Sequence, residues 1–422
     1  PSPHPSREGR GIAPICVVVF FLACLAPAIA ADWPRFLGPH GNGVVDGANV
    51  ARSWPAEGTR ELWRAGLNSG FGGAAIAAGY VYILDRIEDK QDTLRVFNLQ
   101  TGKQEWSYSY AAPGSTGGYP GARSTPTVDA GNVYTLGPLG HLHCISLKTH
   151  QPVWSKHIEK DLGARPSPWH VSQSPLVVKD LLVISLHSDQ YGLVALHKNT
   201  GEIAWRSAPI GNKDSYTSPI LATIGGVEQI VTLEHGTVAG VEPGDGKVLW
   251  RYSGYKPIRP VANPTIMSDG RIFMTGGWGS GCAMIRVAKT GNQFTVKELF
   301  RDRRNGSKLH PALWHDGYLY TNCEDIGEGL QCMSVNGIVK WKTGRSPDFD
   351  LGSLLIADGL IFIMDGRRGL LRLVEATPQG YKELAQAQVL TGSNIYASMA
   401  LADGKLIVRS QTEIKCLEVG AR

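Results

Sequence analysis

The chain has 422 residues, of which 51 are glycine and 11 are tryptophan, and its charged residues make up 19% of the total. This composition favours a turn-rich all-β fold and excludes a mainly helical or disordered protein. The formal net charge of +5 is small and dispersed, so we expect no nucleic-acid partner. Length alone does not divide the chain, because closed arrays of sheets exceed the usual domain size.

The first 30 residues have the pattern of a secretory signal peptide. Arg7 and Arg10 precede an apolar run over 12–25, and residues 28–30 offer the small side chains that a signal peptidase needs. The apolar run is too short to span a membrane. We therefore expect cleavage of residues 1–30, export to the periplasm or the exterior of a bacterial cell, and no transmembrane segment in the mature chain.

Residues 31–58 are rich in proline and glycine and lack periodicity, so we interpret them as an extension that precedes the main domain. Trp33 and Phe36 are expected to dock on that domain. Residues 61–65 resemble the last strand of a repeated unit, although no earlier strands precede them. The domain over 59–422 therefore begins with an orphan strand and requires an incomplete unit at its end.

A tryptophan recurs at the end of a repeated unit. Thr101 and Gly102 stand shortly before Trp106, and a similar polar pair, usually with glycine, stands before the later repeat tryptophans. Such a pair is typical of a tight turn between two strands, and the tryptophan is expected to cover the seam between neighbouring sheets. A period of roughly 40 to 50 residues indicates a ring or a stack. The repeat tryptophans are Trp63, Trp106, Trp154, Trp205, Trp250 and Trp341.

The two ends of the chain predict that the array closes. Seven strand-pair openings lead to complete units, whereas the eighth ends over 414–419 without a tryptophan. The strand that carries Trp63 fits this vacancy and leaves no exposed sheet edge at the join. A solenoid would instead need polar capping repeats. We therefore predict an all-β fold, an eight-bladed β-propeller of four-stranded antiparallel blades, closed by an N-terminal strand in the last blade.

The repeat also carries a family resemblance. Residues 97–106 and 196–205 resemble the repeat of eight-bladed propellers related to pyrroloquinoline quinone (PQQ) dehydrogenases, and the resemblance covers about residues 59–422. The same propeller serves quinoprotein dehydrogenases and non-enzymatic proteins such as the BamB-like component of outer-membrane assembly. Two functions stay open: an exported, non-catalytic scaffold of the cell envelope, and a PQQ-dependent dehydrogenase that oxidises an alcohol or sugar.

For the dehydrogenase, the resemblance implies PQQ stacked on a tryptophan, a Ca²⁺ held by carboxylate and amide oxygens, and an aspartate that accepts the hydroxyl proton. The sequence lacks an adjacent cysteine pair and the long insertions that usually build this pocket. Trp278, Asp348 and Asp350 match none of the family's catalytic positions. We therefore favour the scaffold, predict no cofactor unless the dehydrogenase alternative holds, and carry no catalytic residue over from the family.

No metal site is predicted either. His141 and His143 share one face of a predicted strand, which would suit a pair of metal ligands, but no third ligand accompanies them. We interpret both as ordinary hairpin residues.

The predicted binding site lies at the mouth of the ring. Each loop from an outer strand to the next inner strand returns to the central channel, so the residues before each opening converge there. Such a funnel is the default binding site for an envelope protein or a small ligand, and we expect the propeller to be a monomer. The candidate residues are Arg123, Trp169, His170, Gln173, Tyr216, Arg259, Asn263, His310, Asp350, Asn394 and Tyr396.

One of these loops is unusually basic. Arg301, Arg303, Arg304 and Lys308 precede His310, with one acidic residue among them. A local positive field could capture an anionic ligand or an acidic partner. The alternative is that the loop is simply solvated.

The cysteines give three expectations. Cys323 and Cys332 flank a predicted hairpin turn, and in an exported protein they could form a cross-strand disulfide. Cys144 aligns with small residues of the other repeats, which indicates buried packing. Cys24 lies in a segment that loosely resembles a lipobox, but the later cleavage site argues against lipidation.

Overall fold

The computed structural model describes His4 and residues 32–165, 167–211 and 215–421. Apart from His4, the predicted signal peptide, including Cys24, lies outside the described residues. The strands form eight sheets, which confirms the predicted eight-bladed propeller. Seven sheets contain four consecutive blade strands, one of them with an added fifth strand, and the eighth combines three C-terminal strands with one from the N-terminal part of the chain. Within the described residues, no helix is long and apolar enough to cross a membrane.

Two strands precede the first complete blade, and four antiparallel strands follow in each blade. The early strands are β1 (Val44–Val45) and β2 (Arg60–Gly66). Blade 1 contains β3 (Ala75–Ala77), β4 (Tyr80–Ile87), β5 (Gln91–Asn98) and β6 (Gln104–Ala111). Blade 2 contains β7 (Thr127–Asp129), β8 (Asn132–Leu136), β9 (His141–Ser146) and β10 (Pro152–His157), and the helix α1 (Ile158–Leu162) follows it. Blade 3 contains β11 (Leu176–Val178), β12 (Leu181–Ser185), β13 (Leu193–His197) and β14 (Ile203–Arg206). Blade 4 contains β15 (Ile220–Ile224), β16 (Val227–Glu234), β17 (Thr237–Val241) and β18 (Val248–Tyr252).

The second half of the ring repeats this plan. Blade 5 contains β19 (Thr265–Ile266), β20 (Arg271–Gly276), β21 (Gly281–Thr290) and β22 (Gln293–Asp302). Blade 6 contains β23 (Leu313–His315), β24 (Tyr318–Cys323), β25 (Gly329–Ser334) and β26 (Val339–Lys342), with a 3-10 turn at Glu324–Ile326. Blade 7 contains β27 (Leu354–Ala357), β28 (Leu360–Met364), β29 (Leu370–Glu375) and β30 (Glu383–Gln388). Blade 8 contains β31 (Ala400–Ala402), β32 (Lys405–Arg409) and β33 (Glu413–Glu418).

The N-terminal strand closes the ring as predicted. Strand β2 pairs antiparallel with β33 and completes a four-stranded sheet with β32 and β31. Trp63 stands opposite Cys416 in this register. The last blade is therefore held together by residues from both ends of the described chain.

At four seams, a glycine of one blade packs on the aromatic residue that ends the blade before it, which explains the spacing of the repeat. The turn glycine Gly102 lies so close to the Trp63 ring that a Cβ atom at this position would stand 2.5 Å from it. The Trp63 indole donates a hydrogen bond of 2.8 Å to the Leu99 carbonyl in the same turn. Glycine is needed here for the close approach as well as for its φ of 69°. The same contact joins Gly201 to Trp154, Gly246 to Trp205 and Gly337 to Phe300.

Other seams differ from this arrangement, as two examples show. His150 replaces the glycine opposite Trp106, and the two rings stack with centroids 4.3 Å apart. After Trp250, the next outer hairpin is longer, with ten residues in each strand. The Trp250 indole instead donates to Gln229 Oε1 of its own blade, at 2.6 Å.

The N-terminal extension crosses the central channel. Trp33 is buried and forms a β-bridge with Ile76 of blade 1. The Pro34 carbonyl accepts a hydrogen bond of 2.8 Å from Val128 N of blade 2. Strand β1 then pairs parallel with β27 of blade 7. Because the extension contacts inner strands on several sides of the ring, it closes one end of the channel.

The predicted disulfide is wrong in this structure. Cys323 and Cys332 are both buried free thiols. The predicted hairpin exists, but Cys323 stands opposite Gly329 and Cys332 opposite Tyr320. The cysteines are therefore three positions out of register and lie on opposite faces of the sheet, because side chains alternate along a strand. Cys144 is fully buried opposite Trp154, in agreement with its predicted packing role.

Candidate functional site

The inter-blade loops surround a cavity of about 340 Å³ at the mouth of the channel. Six of the eleven predicted mouth residues line it, and they come from six different loops. These residues are Arg123, Trp169, Tyr216, Asn263, His310 and Tyr396.

The other five predicted residues do not line the cavity. Arg259 lies over the Trp169 ring, with its guanidinium carbon 5.5 Å from the centroid. Asn394 and Asp350 border the mouth, because the Tyr396 hydroxyl donates to them at 2.9 and 3.4 Å. Three of the five therefore contact residues of the lining without lining the cavity themselves.

Gln173 and His170 have different surroundings. The Gln173 side chain is buried and forms two hydrogen bonds of 2.8 Å with the Ser185 backbone, which is a structural role. His170 has a φ of 62°, and burial, together with the nearby Arg123 charge, lowers its pKa.

Several aromatic residues line the cavity although they are not among the eleven predicted mouth residues. Phe71 follows the orphan strand β2, so its loop enters the mouth in the same way as the other inter-blade loops. Trp278 lies in the turn between β20 and β21, and in a four-stranded blade this turn lies on the same face as the inter-blade loops. Both positions could have been found from the strand order. Phe36 reaches the cavity from the N-terminal extension, and no spacing in the sequence indicates this.

The aromatic side chains of the mouth form two groups. In the first, the Trp169 ring stacks on Tyr216 with centroids 5.3 Å apart and lies 5.6 Å from Trp278. In the second, the Phe71 ring stacks on Tyr396 at 6.0 Å and meets Tyr119 edge-on at 5.8 Å. We refer to these as the Trp169 group and the Phe71 group. Trp169 and Trp278 are 36% and 37% exposed, which leaves ring surface available for a ligand.

The charged groups that line the cavity are cations. Arg123 has no carboxylate partner in the described part of the chain, and burial lowers its pKa to about 10, so it stays charged at neutral pH. Lys308 forms an ion pair of 3.2 Å with Asp325. His310 is neutral at pH 7, because burial lowers its pKa to about 4, and its Nε2–H donates to the Leu351 carbonyl at 3.1 Å.

The residues around the cavity do not fit a PQQ–Ca²⁺ pair. Calcium needs several oxygen ligands with carboxylates among them, yet no aspartate or glutamate of the described chain lines the cavity. Asp350, the nearest predicted acid, forms an ion pair of 3.6 Å with Arg367. Across the described residues, no cluster of three or more histidine, cysteine, aspartate or glutamate side chains could hold a metal ion.

The basic loop before His310 is largely neutralised. Arg301 pairs with Glu298 at 2.7 Å, and Arg304 pairs with Asp302 at 3.3 Å. Of the four basic residues, Lys308 alone lines the cavity. The positive field of the mouth therefore depends on Arg123 and Lys308 more than on the exposed arginines.

The chain is similar in part to a characterised enzyme. The chain is 21% identical over 165 residues to the quinoprotein alcohol dehydrogenase PedH of Pseudomonas putida. This match covers 38% of the chain but 27% of that enzyme's length.

Two solved structures share the fold. The quinohemoprotein alcohol dehydrogenase of Comamonas testosteroni has a TM-score of 0.64 at 14% identity, with 93% of this chain and 81% of that chain covered. BamB of Moraxella catarrhalis has a TM-score of 0.57 at 12% identity, with 85% of this chain and 99% of that chain covered. At these identities, the likeness concerns the fold alone.

The family profile described as outer membrane protein assembly factor BamB matches residues 112–343, from the loop that carries Arg123 to the end of blade 6. This match covers more than half of the 422 residues. The chain therefore belongs to the family described as outer membrane protein assembly factor BamB.

Proposed function

We propose that this protein is an exported, non-catalytic propeller of the cell envelope that binds a ligand in its mouth cavity. The observation that carries the proposal is the lining of the cavity, which combines seven aromatic residues and two cations with no carboxylate from the described chain. Apolar walls with a few polar groups are the usual composition of a binding pocket, and a volume of about 340 Å³ suits a small ligand.

The absence of carboxylates from the described lining supports binding rather than hydroxyl oxidation. A dehydrogenase that oxidises an alcohol needs a base within hydrogen-bonding reach of the hydroxyl proton. His310 is a weak candidate, because burial lowers its pKa to about 4 and it already contacts the Leu351 carbonyl at 3.1 Å. The remaining polar lining groups are hydroxyls, amides and cations.

Export rests on the sequence and on the family. The basic residues, apolar run and small residues over 1–30 have the pattern of a signal peptide. The family is described as an outer membrane assembly factor, which agrees with a place in the envelope and with a protein partner.

The second candidate is a PQQ-dependent dehydrogenase of alcohols or sugars. The similarity to quinoprotein alcohol dehydrogenases favours it, and the aromatic walls would suit a planar quinone. The cavity disfavours the Ca²⁺ ion that a PQQ dehydrogenase uses, because no carboxylate of the described chain lines it.

One experiment separates the two functions. The protein beginning at Asp32 is melted with PQQ, with and without Ca²⁺, and then assayed for reduction of an artificial electron acceptor with alcohols and aldoses. We expect no Ca²⁺-dependent rise in melting temperature and no dye reduction, because tight binding to the folded state would necessarily stabilise it. A saturable rise of several degrees that requires both additions, with turnover that a chelator abolishes, would establish the dehydrogenase instead.

A further inference from the structure

Arg123 is one of the two cations that line the cavity. Its Nη2 atom donates to the carbonyls of Thr116, at 3.0 Å, and Tyr119, whereas its buried Nη1 atom has no hydrogen-bond partner among the described residues. By contrast, the buried Arg86 forms an ion pair of 2.7 Å with Asp92. Because Nη1 has almost no accessible surface, the Arg123 guanidinium acts on the cavity through its charge, which no carboxylate of the described lining neutralises.

The surroundings of Arg123 favour an anionic acceptor. Lys308 is the second cation of the lining, and its ammonium nitrogen lies 6.0 Å from the Trp278 ring centroid. The neighbouring Glu324 accepts a hydrogen bond from Lys308 N, but burial raises its pKa to about 8, so it contributes little negative charge at neutral pH. Lys308 is paired with Asp325, whose side chain is 7% exposed and lies outside the lining. Asp350, at the border of the mouth, is paired with Arg367, so Arg123 carries the unneutralised charge of the described lining.

The aromatic groups favour a flat body for the same ligand. The Trp169 group and the Phe71 group both line the cavity, so a ring between them would meet aromatic surface on two sides. Ring pairs in offset or edge-on arrangements attract each other beyond the effect of their buried area. A lining with one unneutralised cation, Arg123, matches a singly charged carboxylate better than a phosphate, which needs several strong donors.

We propose that the mouth cavity binds an aromatic carboxylate without a metal ion, with the carboxylate beside the Arg123 guanidinium and the aromatic ring between the Trp169 and Phe71 groups. This inference rests on the proposed binding function and names the chemical class of its ligand. In this arrangement, Arg123 neutralises the carboxylate directly, so no bridging cation is needed. Lys308 adds a longer-range attraction at the rim.

The test compares an anion with its neutral isostere. Binding of 2-naphthoate, 2-naphthamide and cyclohexanecarboxylate to the protein beginning at Asp32 is measured by calorimetry, with and without a chelator. We expect saturable 2-naphthoate binding that the chelator does not change, with the amide and the non-aromatic acid each at least about tenfold weaker. Failure of 2-naphthoate to bind, equal binding of the amide, or a requirement for a divalent cation would overturn the proposal.

Variants then assign the site. Arg123→Gln should weaken 2-naphthoate at least about tenfold and leave the weak amide binding unchanged, and Arg123→Lys should restore part of the loss. Arg60→Gln, at the start of the outer strand β2, removes an exposed cation and serves as the matched control. Unchanged affinity in a folded Arg123→Gln protein would overturn the assignment. If that variant does not fold, the amide comparison on the unsubstituted protein decides alone.

The two proposals fail separately. Turnover with PQQ and Ca²⁺ would contradict the proposed non-catalytic function, regardless of whether 2-naphthoate binds. Failure of 2-naphthoate to bind would contradict the inferred ligand class, and it would leave the result of the dye assay unaffected.

Discussion

The seams between blades and the mouth of the ring use the same aromatic residue types for opposite purposes. At a seam, the tryptophan is buried and its indole is satisfied, as for Trp205, which donates to the Pro243 carbonyl at 2.9 Å. At the mouth, Trp169 and Trp278 keep more than a third of their surface exposed. The seams recur because every blade must dock on the next, whereas the mouth differs from loop to loop. The repeated seam residues therefore stabilise the fold, and we expect the mouth residues, which do not repeat, to bind the ligand.

The largest expected effect is at the closing seam. Trp63→Ala should lower the free energy of unfolding by about 3 to 5 kcal/mol, because Trp63 is buried and a large cavity would remain. Deletion of residues 59–66 should cost at least as much, since it removes strand β2 from the last blade. Chemical denaturation measures both changes. Unfolding curves that match the unsubstituted protein for both would contradict ring closure by β2.

A buried histidine should make stability depend on pH. Burial lowers the pKa of His143 to about 4, so between pH 6.5 and 4 the unfolded chain binds a proton that the folded chain does not. Stability is therefore lost as pH falls through this window, by up to about 3 kcal/mol. His143→Phe, which retains a ring beside Tyr110, should lose less stability on acidification.

Denaturation at pH 7 and at pH 4.5 measures this difference. His310 also has a pKa of about 4, but it is present in both proteins, so its contribution cancels. Equal losses for the two proteins would show that His143 does not titrate as inferred.

A smaller effect is expected at a seam glycine. Gly201→Ala places a Cβ atom 2.7 Å from the Trp154 ring, whereas Gly131→Ala meets nothing within 4 Å. Both glycines have positive φ, of 73° and 83°, so both substitutions share the backbone cost of roughly 1 to 2 kcal/mol. Crowding should make Gly201→Ala worse by a further 1 to 3 kcal/mol or so. Equal unfolding midpoints for the two variants would contradict the claim that the contact with tryptophan requires glycine at the seam.

The repeated parts of the fold could be predicted because the seam contact sets a spacing. Gly102 packs on Trp63, and the same contact recurs at three further seams, with Phe300 in place of tryptophan where Gly337 packs. The mouth could be predicted only in part. The rule that residues just before each inner strand converge at the mouth finds the inter-blade loops. It misses Trp278, because that residue lies in the turn between the second and third strands of its blade, on the same face of the ring.

The remaining misses have different physical causes. Phe36 reaches the cavity through the path of the extension, which depends on long-range strand pairing. The predicted disulfide between Cys323 and Cys332 failed because the hairpin was placed correctly but its register was not. A shift of an odd number of residues moves a side chain to the other face of a sheet.

The smallest effect is expected at the basic loop. Replacing Arg301, Arg303 and Arg304 together by serine should change 2-naphthoate affinity less than about twofold, because Arg301 and Arg304 are exposed and already paired with acids. Calorimetry at two salt concentrations checks this expectation. A loss of tenfold or more, with a flatter salt dependence, would move the anion site from Arg123 to this loop.

The division between frame and mouth is tested most directly by two tryptophan substitutions measured together. Trp205 is 8% exposed at a seam, whereas Trp278 is 37% exposed at the mouth. The free energy of unfolding should fall by about 3 to 5 kcal/mol in Trp205→Ala and by less than about 1 kcal/mol in Trp278→Ala. Equal losses in the two variants would contradict the division, because the mouth aromatics would then be part of the structural frame.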